Sequence, residues 1–122
     1  PSVVCWGSGT PLREFLHCDD LGEACVFALE NWHPGPDDPP FLNVGTGVDL
    51  SIQELAEAVA HAIGYRGMIN WDTSKPDGTL KKQLDVSRLQ HIGWRARIPF
   101  EEGLSSTVAE FREQLSQKQV RL

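Results

Sequence analysis

The apolar positions change period several times along the chain, and each change marks an element. Ser2 to Trp6 (SVVCW) is a short apolar run that stops at Gly7-Ser8-Gly9-Thr10-Pro11, a turn. Arg13 to His17 (REFLH) reads as a second short strand. The spacing then becomes helical. Leu21, Ala24, Cys25, Ala28, Leu29 and Trp32 fall on one stripe, with Asp19 and Asp20 placed as acidic caps at its start. His33 to Pro40 carries four prolines in eight residues, which predicts a surface loop over 33–40. Phe41 to Val44 (FLNV) predicts a strand. Ser51 to Ile63 is the strongest helix signal: Ser51 and Glu54 make a capping box, Ile52, Leu55, Ala56, Val59, Ala60 and Ile63 share a face, and Gly64 stops it. Met68 to Trp71 predicts a strand, Lys75-Pro76-Asp77-Gly78 a turn, and Asp85 to Ile92 a short helix capped by Asp85 and ended by Gly93. A last helix runs from about Phe100 to Gln117 with Leu104, Val108, Phe111 and Leu115 along one side, and the polar tail 118–122 is expected to fray.

Strands alternating with helices make the class α/β, a mixed α+β lobe. At 122 residues, residues 1–122 read as a single domain with its own core. That length is too short for a complete dinucleotide fold plus a substrate lobe, because the two βαβαβ halves alone take on the order of 150 residues. The formal charge of −6 argues against a nucleic-acid partner. No apolar run reaches the roughly 20 residues that span a bilayer, so no membrane partner is expected. Cys5, Cys18 and Cys25 cannot all pair and match no zinc spacing, which suits buried free thiols in a reducing, cytoplasmic setting.

Motifs for chemistry are sparse. Asn43-Val44-Gly45-Thr46-Gly47 invites a phosphate-loop reading, but Leu50 stands where a third glycine belongs, and a tight structural turn is the preferred reading. His17-Cys18-Asp19-Asp20 looks reactive, yet neighbours on a strand point to opposite faces, and the aspartates serve as caps. No Tyr-x-x-x-Lys, G-x-S-x-G or H-E-x-x-H is present, so neither catalytic nor metal residues are assigned. What remains is a set of cations near turns, Arg13, Lys75, Lys81 and Lys82, with Trp6 beside a Gly-Ser-Gly turn and Asp77 as an acceptor. These residues could bind an anion, but by residue type the preferred reading is a set of solvated surface charges and a core tryptophan.

Three strings taken together, VCWGSGTP followed by REFLH, NVGTG, and DTSKPDGT, with LDV and LQHIGW after them, resemble the C-terminal part of GDP-L-fucose synthase, an extended short-chain dehydrogenase/reductase. The resemblance runs from about Val4 to Phe111. It implies the substrate-binding part of an enzyme that epimerises GDP-4-keto-6-deoxy-mannose and reduces it with NADPH, without the N-terminal Rossmann core. It implies that Trp6 and Arg13 lie against the nucleotide diphosphate and that Asp77 and Lys82 lie near it. No cofactor is expected in this chain, NADP being implied for a full-length relative. The expected ligand is a GDP-sugar of the GDP-4-keto-6-deoxymannose or GDP-fucose type. Met68, Cys18 and Leu80-Lys81 depart from the family pattern. The alternative is a stand-alone, non-enzymatic interaction module descended from that family. Either way, uncovered helix faces and sheet edges imply a homo-oligomer or a partner over the exposed face.

Overall fold

The computed structural model describes residues 1–117; the tail 118–122 lies outside the described residues. The elements are β1 (Ser2–Trp6), β2 (Leu12–Glu14), α1 (Cys18–Asn31), β3 (Asp49–Ser51), α2 (Ile52–Ile63), β4 (Met68–Asp72), β5 (Lys81–Lys82), α3 (Ser87–His91) and α4 (Phe100–Ser116). This is a mixed α/β arrangement with two small sheets. In the first, β1 pairs in parallel with β4, from Ser2 opposite Met68 to Trp6 opposite Asp72. In the second, β2 is central, antiparallel to β3 and parallel to β5.

The capping box at α2 forms as its sequence requires. Ser51 Oγ accepts from the Glu54 N–H at 3.1 Å, and Glu54 Oε2 accepts from the Ser51 N–H at 2.7 Å. Gly64 ends the helix in the left-handed region, and the Arg112 side chain of α4 caps the Ile63 carbonyl at 2.8 Å. The best-buried cluster is Ala24 of α1, Leu89 of α3 and Trp94, with Leu16, Phe27, Leu42, Val44, Ile92 and Ala96 packed around it.

Several expectations are corrected. The second strand is shorter than Arg13–His17: Phe15 leaves it to meet Phe100 of α4, ring centroids 6.1 Å apart, and His17 is the N-cap of α1. Asp20 is not a cap. It is 2% exposed, and its carboxylate accepts from the Arg97 N–H (3.1 and 3.2 Å) and the Ile98 N–H (3.0 Å), tying α1 to the segment before α4. The stripe on α1 faces outward in part. Ala24 is buried, Phe27 and Ala28 are half-buried, but Leu21, Cys25 and Leu29 are exposed, Leu29 by 83%. The free thiols are not buried as expected: Cys18 and Cys25 are exposed and Cys5 is half-buried, because α1 turns that side to solvent and β1 lies in a two-stranded sheet. Phe41 to Val44 pairs with no strand among the described residues. Leu42 and Val44 add side chains to the core, and Asn43 Nδ2 donates to the Asp85 carbonyl at 3.1 Å. The short helix begins at Ser87, not Asp85, although Asp85 Oδ1 does accept from the Ser87 N–H at 2.9 Å.

Candidate functional site

The turn after β1 is built by necessity from glycine. Gly7 and Gly9 have φ of +87° and +77°. A Cβ on Gly9 would stand 2.9 Å from the Trp71 ring, and one on Gly7 would strike the Asp77 carboxylate. The turn is thereby pressed between β4 and the loop that follows it. Ser8 then donates twice to Asp77, from its N–H to Oδ1 at 2.7 Å and from Oγ to Oδ2 at 2.6 Å. These bonds, the hydroxyl first and then the backbone, hold the Asp77 carboxyl below its ordinary value.

Between the two loops lies a cleft of about 110 Å³ lined by Trp6, Gly9, Pro11, Arg13, Pro76 and Asp77, among others. Three of the four residues singled out by sequence therefore share one cleft. Trp6 is 74% exposed, an unusual position for a tryptophan, and Lys75 Nζ lies 5.7 Å from its ring centroid. Arg13 Nη1 donates to the backbone carbonyls of Leu12 (2.6 Å) and Thr79 (2.7 Å), which aim the guanidinium without neutralising it. A guanidinium has five donors, so Nη2 and Nε stay available for an anion. Lys82 does not line the cleft. It sits opposite Arg13 in the parallel β2–β5 pair, so the two cationic side chains leave the same face of the sheet. Its neighbour Lys81 is neutralised by Asp49 at 3.1 Å. At 110 Å³ the cleft is smaller than the roughly 300 Å³ of an ordinary ligand pocket.

Sequence reasoning missed Ser8 and Glu14. Glu14 Oε1 accepts from the Gly47 N–H at 2.5 Å and from Thr46 Oγ1 at 3.2 Å, and Oε2 from the Leu84 N–H at 3.2 Å. A Cβ at Gly45 would meet Oε1 at 2.5 Å. A carboxylate thus fills the Gly45-Thr46-Gly47 loop, and these residues do not fit a dinucleotide phosphate. The Asp49–Lys81 pair follows from β3 and β5 both pairing with β2, which no local motif signals. His17, Cys18 and Asp19 bring ligating atoms within 4.8 Å of one another. The strand argument against their meeting fails because they start a helix. His17 Nδ1 is nonetheless committed to the Asp19 N–H at 3.2 Å, and the positive end of the helix dipole opposes a cation there.

Residues 1–45 match the NAD dependent epimerase/dehydratase family. The GDP-L-fucose synthase of Escherichia coli K12 is 50% identical over 118 residues, covering 93% of this chain and 37% of the bacterial protein. The chain is similar to one part of the GDP-L-fucose synthases. The putative GDP-L-fucose synthase 2 of Arabidopsis thaliana is 47% identical over 95% of this chain and 34% of its own length. The chain thus spans about a third of the length of the curated relatives it matches. Among solved structures, a GDP-L-fucose synthetase from Naegleria fowleri bound to NADP superposes with a TM-score of 0.82 at 28% identity, over 98% of this chain and 37% of that one. A GDP-6-OMe-4-keto-L-xylo-heptose reductase from Campylobacter jejuni gives 0.85 at 31% identity, over 93% and 34%. The fold is that of one part of an extended short-chain dehydrogenase/reductase. No helix among the described residues is long and apolar enough to cross a membrane.

Proposed function

We propose that this chain is the GDP-sugar-binding part of a GDP-L-fucose synthase-like, NADP-dependent epimerase/reductase, acting in the cytoplasm. One observation carries the reading: Arg13 is aimed by two backbone carbonyls, keeps its charge, and shares a cleft with an exposed Trp6. A planar fork suits a diphosphate and an aromatic face suits a base or sugar. Lys82, in register with Arg13, adds a second positive charge on the diphosphate side, and Asp77 accepts from hydroxyl or amino groups on its remaining lone pairs. The names of the relatives support a GDP-linked ligand. Cofactor and reaction chemistry belong to other parts of a longer protein, in keeping with the filled Gly45-Thr46-Gly47 loop.

Calorimetric titration tests this. GDP is expected to bind weakly, with Kd on the order of a millimolar, because a single open wall leaves much of the ligand hydrated. UDP is expected to bind less well, and Arg13→Ala to abolish binding. No heat with GDP at about ten times that concentration refutes the reading.

A second reading rests on its own observation. Val26 and Leu29 of α1 are exposed, as are Val4 and Met68 on the first sheet, and an apolar groove of about 290 Å³ runs between that sheet and α2. Such surfaces fit an oligomerising module, either a second copy or a partner covering this face. Sedimentation distinguishes them: a stable oligomer that ignores GDP favours the second reading, and a GDP-binding monomer the first.

A further inference from the structure

We infer that Ser8 is a positioning residue of the cleft, and that with Asp77 it forms a clamp setting Trp6 and Arg13 at a fixed separation. The inference rests on the nucleotide-binding reading above and adds to it a residue that makes no ligand contact of its own. The parallel β1–β4 ladder ends with Trp6 opposite Asp72, and the Gly7 N–H still reaches the Asp72 carbonyl at 2.9 Å. Beyond that point no backbone bond joins Ser8 to the loop at residues 75–78; side chains take over. Ser8 engages both oxygens of Asp77, while its hydroxyl also lies 2.7 Å from Thr10 Oγ1 and accepts from the Thr10 N–H at 3.2 Å.

The clamped loop touches both ligand-facing groups. Two residues before Asp77, Lys75 reaches over the Trp6 ring. One residue after it, Gly78 lies so close that an added Cβ would be 3.3 Å from Arg13 Nη2, and the Thr79 carbonyl holds Arg13 Nη1. Both groups proposed to face the ligand therefore touch a loop whose middle is held by one carboxylate. The close approach that makes this possible requires Gly7, since any Cβ there would collide with Asp77. Hydrogen bonds to an ionised carboxylate are roughly twice as strong as those between neutral groups.

The test compares the wild-type chain with Ser8→Ala and Ser8→Thr, labelled with 5-fluorotryptophan, by fluorine NMR without ligand and by calorimetric titration with GDP. Trp6→Phe assigns the Trp6 resonance among the four tryptophans. Ser8→Ala is expected to shift or broaden the Trp6 signal, leaving those of Trp32 and Trp94 in place, and to weaken GDP binding by about tenfold, with Ser8→Thr restoring both. An unmoved Trp6 signal together with unchanged affinity overturns the inference. So does a disturbance of all four resonances, which would make the clamp a general stabilising contact. If the wild-type chain ignores GDP while the Trp6 signal still follows Ser8, the nucleotide reading fails and the clamp survives it.

Discussion

Replacing Asp20 by alanine is the most severe single change the fold predicts outside the apolar core. The carboxylate is buried under the segment before α4, where it accepts from the backbone of Arg97 and Ile98. Alanine leaves both N–H groups without their acceptor. A buried donor left unpaired costs about 1–3 kcal/mol, so two set a range of about 2–6 kcal/mol. Arg97 is exposed and water can reach its N–H, whereas Ile98 is half-buried, which places the expected loss near 3 kcal/mol. In urea unfolding, with a slope of about 1.5 kcal/mol per molar, the midpoint falls by about 2 M. Asp20→Asn keeps one acceptor oxygen and should lose about half as much. Asp19→Ala is the control: it lies in the same first turn with an exposed carboxylate and should change stability by less than about 0.5 kcal/mol. A loss below about 1 kcal/mol for Asp20→Ala, or an equal loss for Asp19→Ala, would refute the assignment of Asp20 as the tie between α1 and α4.

Ser51→Ala removes the capping box of α2 and is expected to cost about 1 kcal/mol, read from the urea midpoint; no change would mean the helix end is held by packing alone. Gly45→Ala drives a methyl into the Glu14 carboxylate and should destabilise by about 2 kcal/mol, an effect that Glu14→Ala in the same chain relieves in part. The carboxyls of Glu54, Asp77 and Asp85 are held below their ordinary values, by Ser51, Ser8 and Ser87 in turn. A lowered folded pKa stabilises above the unfolded value near 4 and loses that contribution as pH falls through the folded one. Urea midpoints should therefore hold from pH 7 to about 5 and drop below about 4; a flat profile down to pH 3 contradicts it. Arg13→Lys keeps the charge but cannot reach two carbonyls and an anion together, so GDP affinity should fall by several-fold, about as far as for loss of one charge-assisted bond, on the same titration.

Elements with strong local signals were legible in the sequence. SVVCW, MINW, the Ser51–Glu54 box and the long stripe from Phe100 announce themselves within their own windows. Those that depend on a remote partner were not. Lys81–Lys82 is a strand only because β2 lies beside it, and Phe41–Val44 has strand composition but no partner among the described residues. The aspartates in the first turn of α1 look alike by composition, yet His17 supplies the cap and Asp20 is drawn inward by backbone donors 77 and 78 residues away. At the cleft, residue type alone reads Trp6, Arg13 and Asp77 as ordinary surface and core, and only the family resemblance singles them out. Ser8 is singled out by neither, since a serine between glycines reads as an ordinary turn residue until its carboxylate partner arrives from residue 77.

The pairing order of the strands also fixes a timetable. β1 finds its partner only in residues 68–72, and β2 finds its two neighbours only at 49–51 and 81–82. During synthesis, residues 2–14 therefore leave the ribosome before the segments at 49–51, 68–72 and 81–82 that pair with them. At about 5–20 residues per second they wait several seconds before β4 and β5 emerge. The chain must close long loops before any ladder bond compensates for the lost entropy, which puts folding in the slower, non-local regime of milliseconds to seconds. Cys5 and the exposed valines of β1 stay open to water or to chaperones for that whole interval. A chain cut anywhere before residue 68 keeps β1 but never acquires the strand that pairs with it.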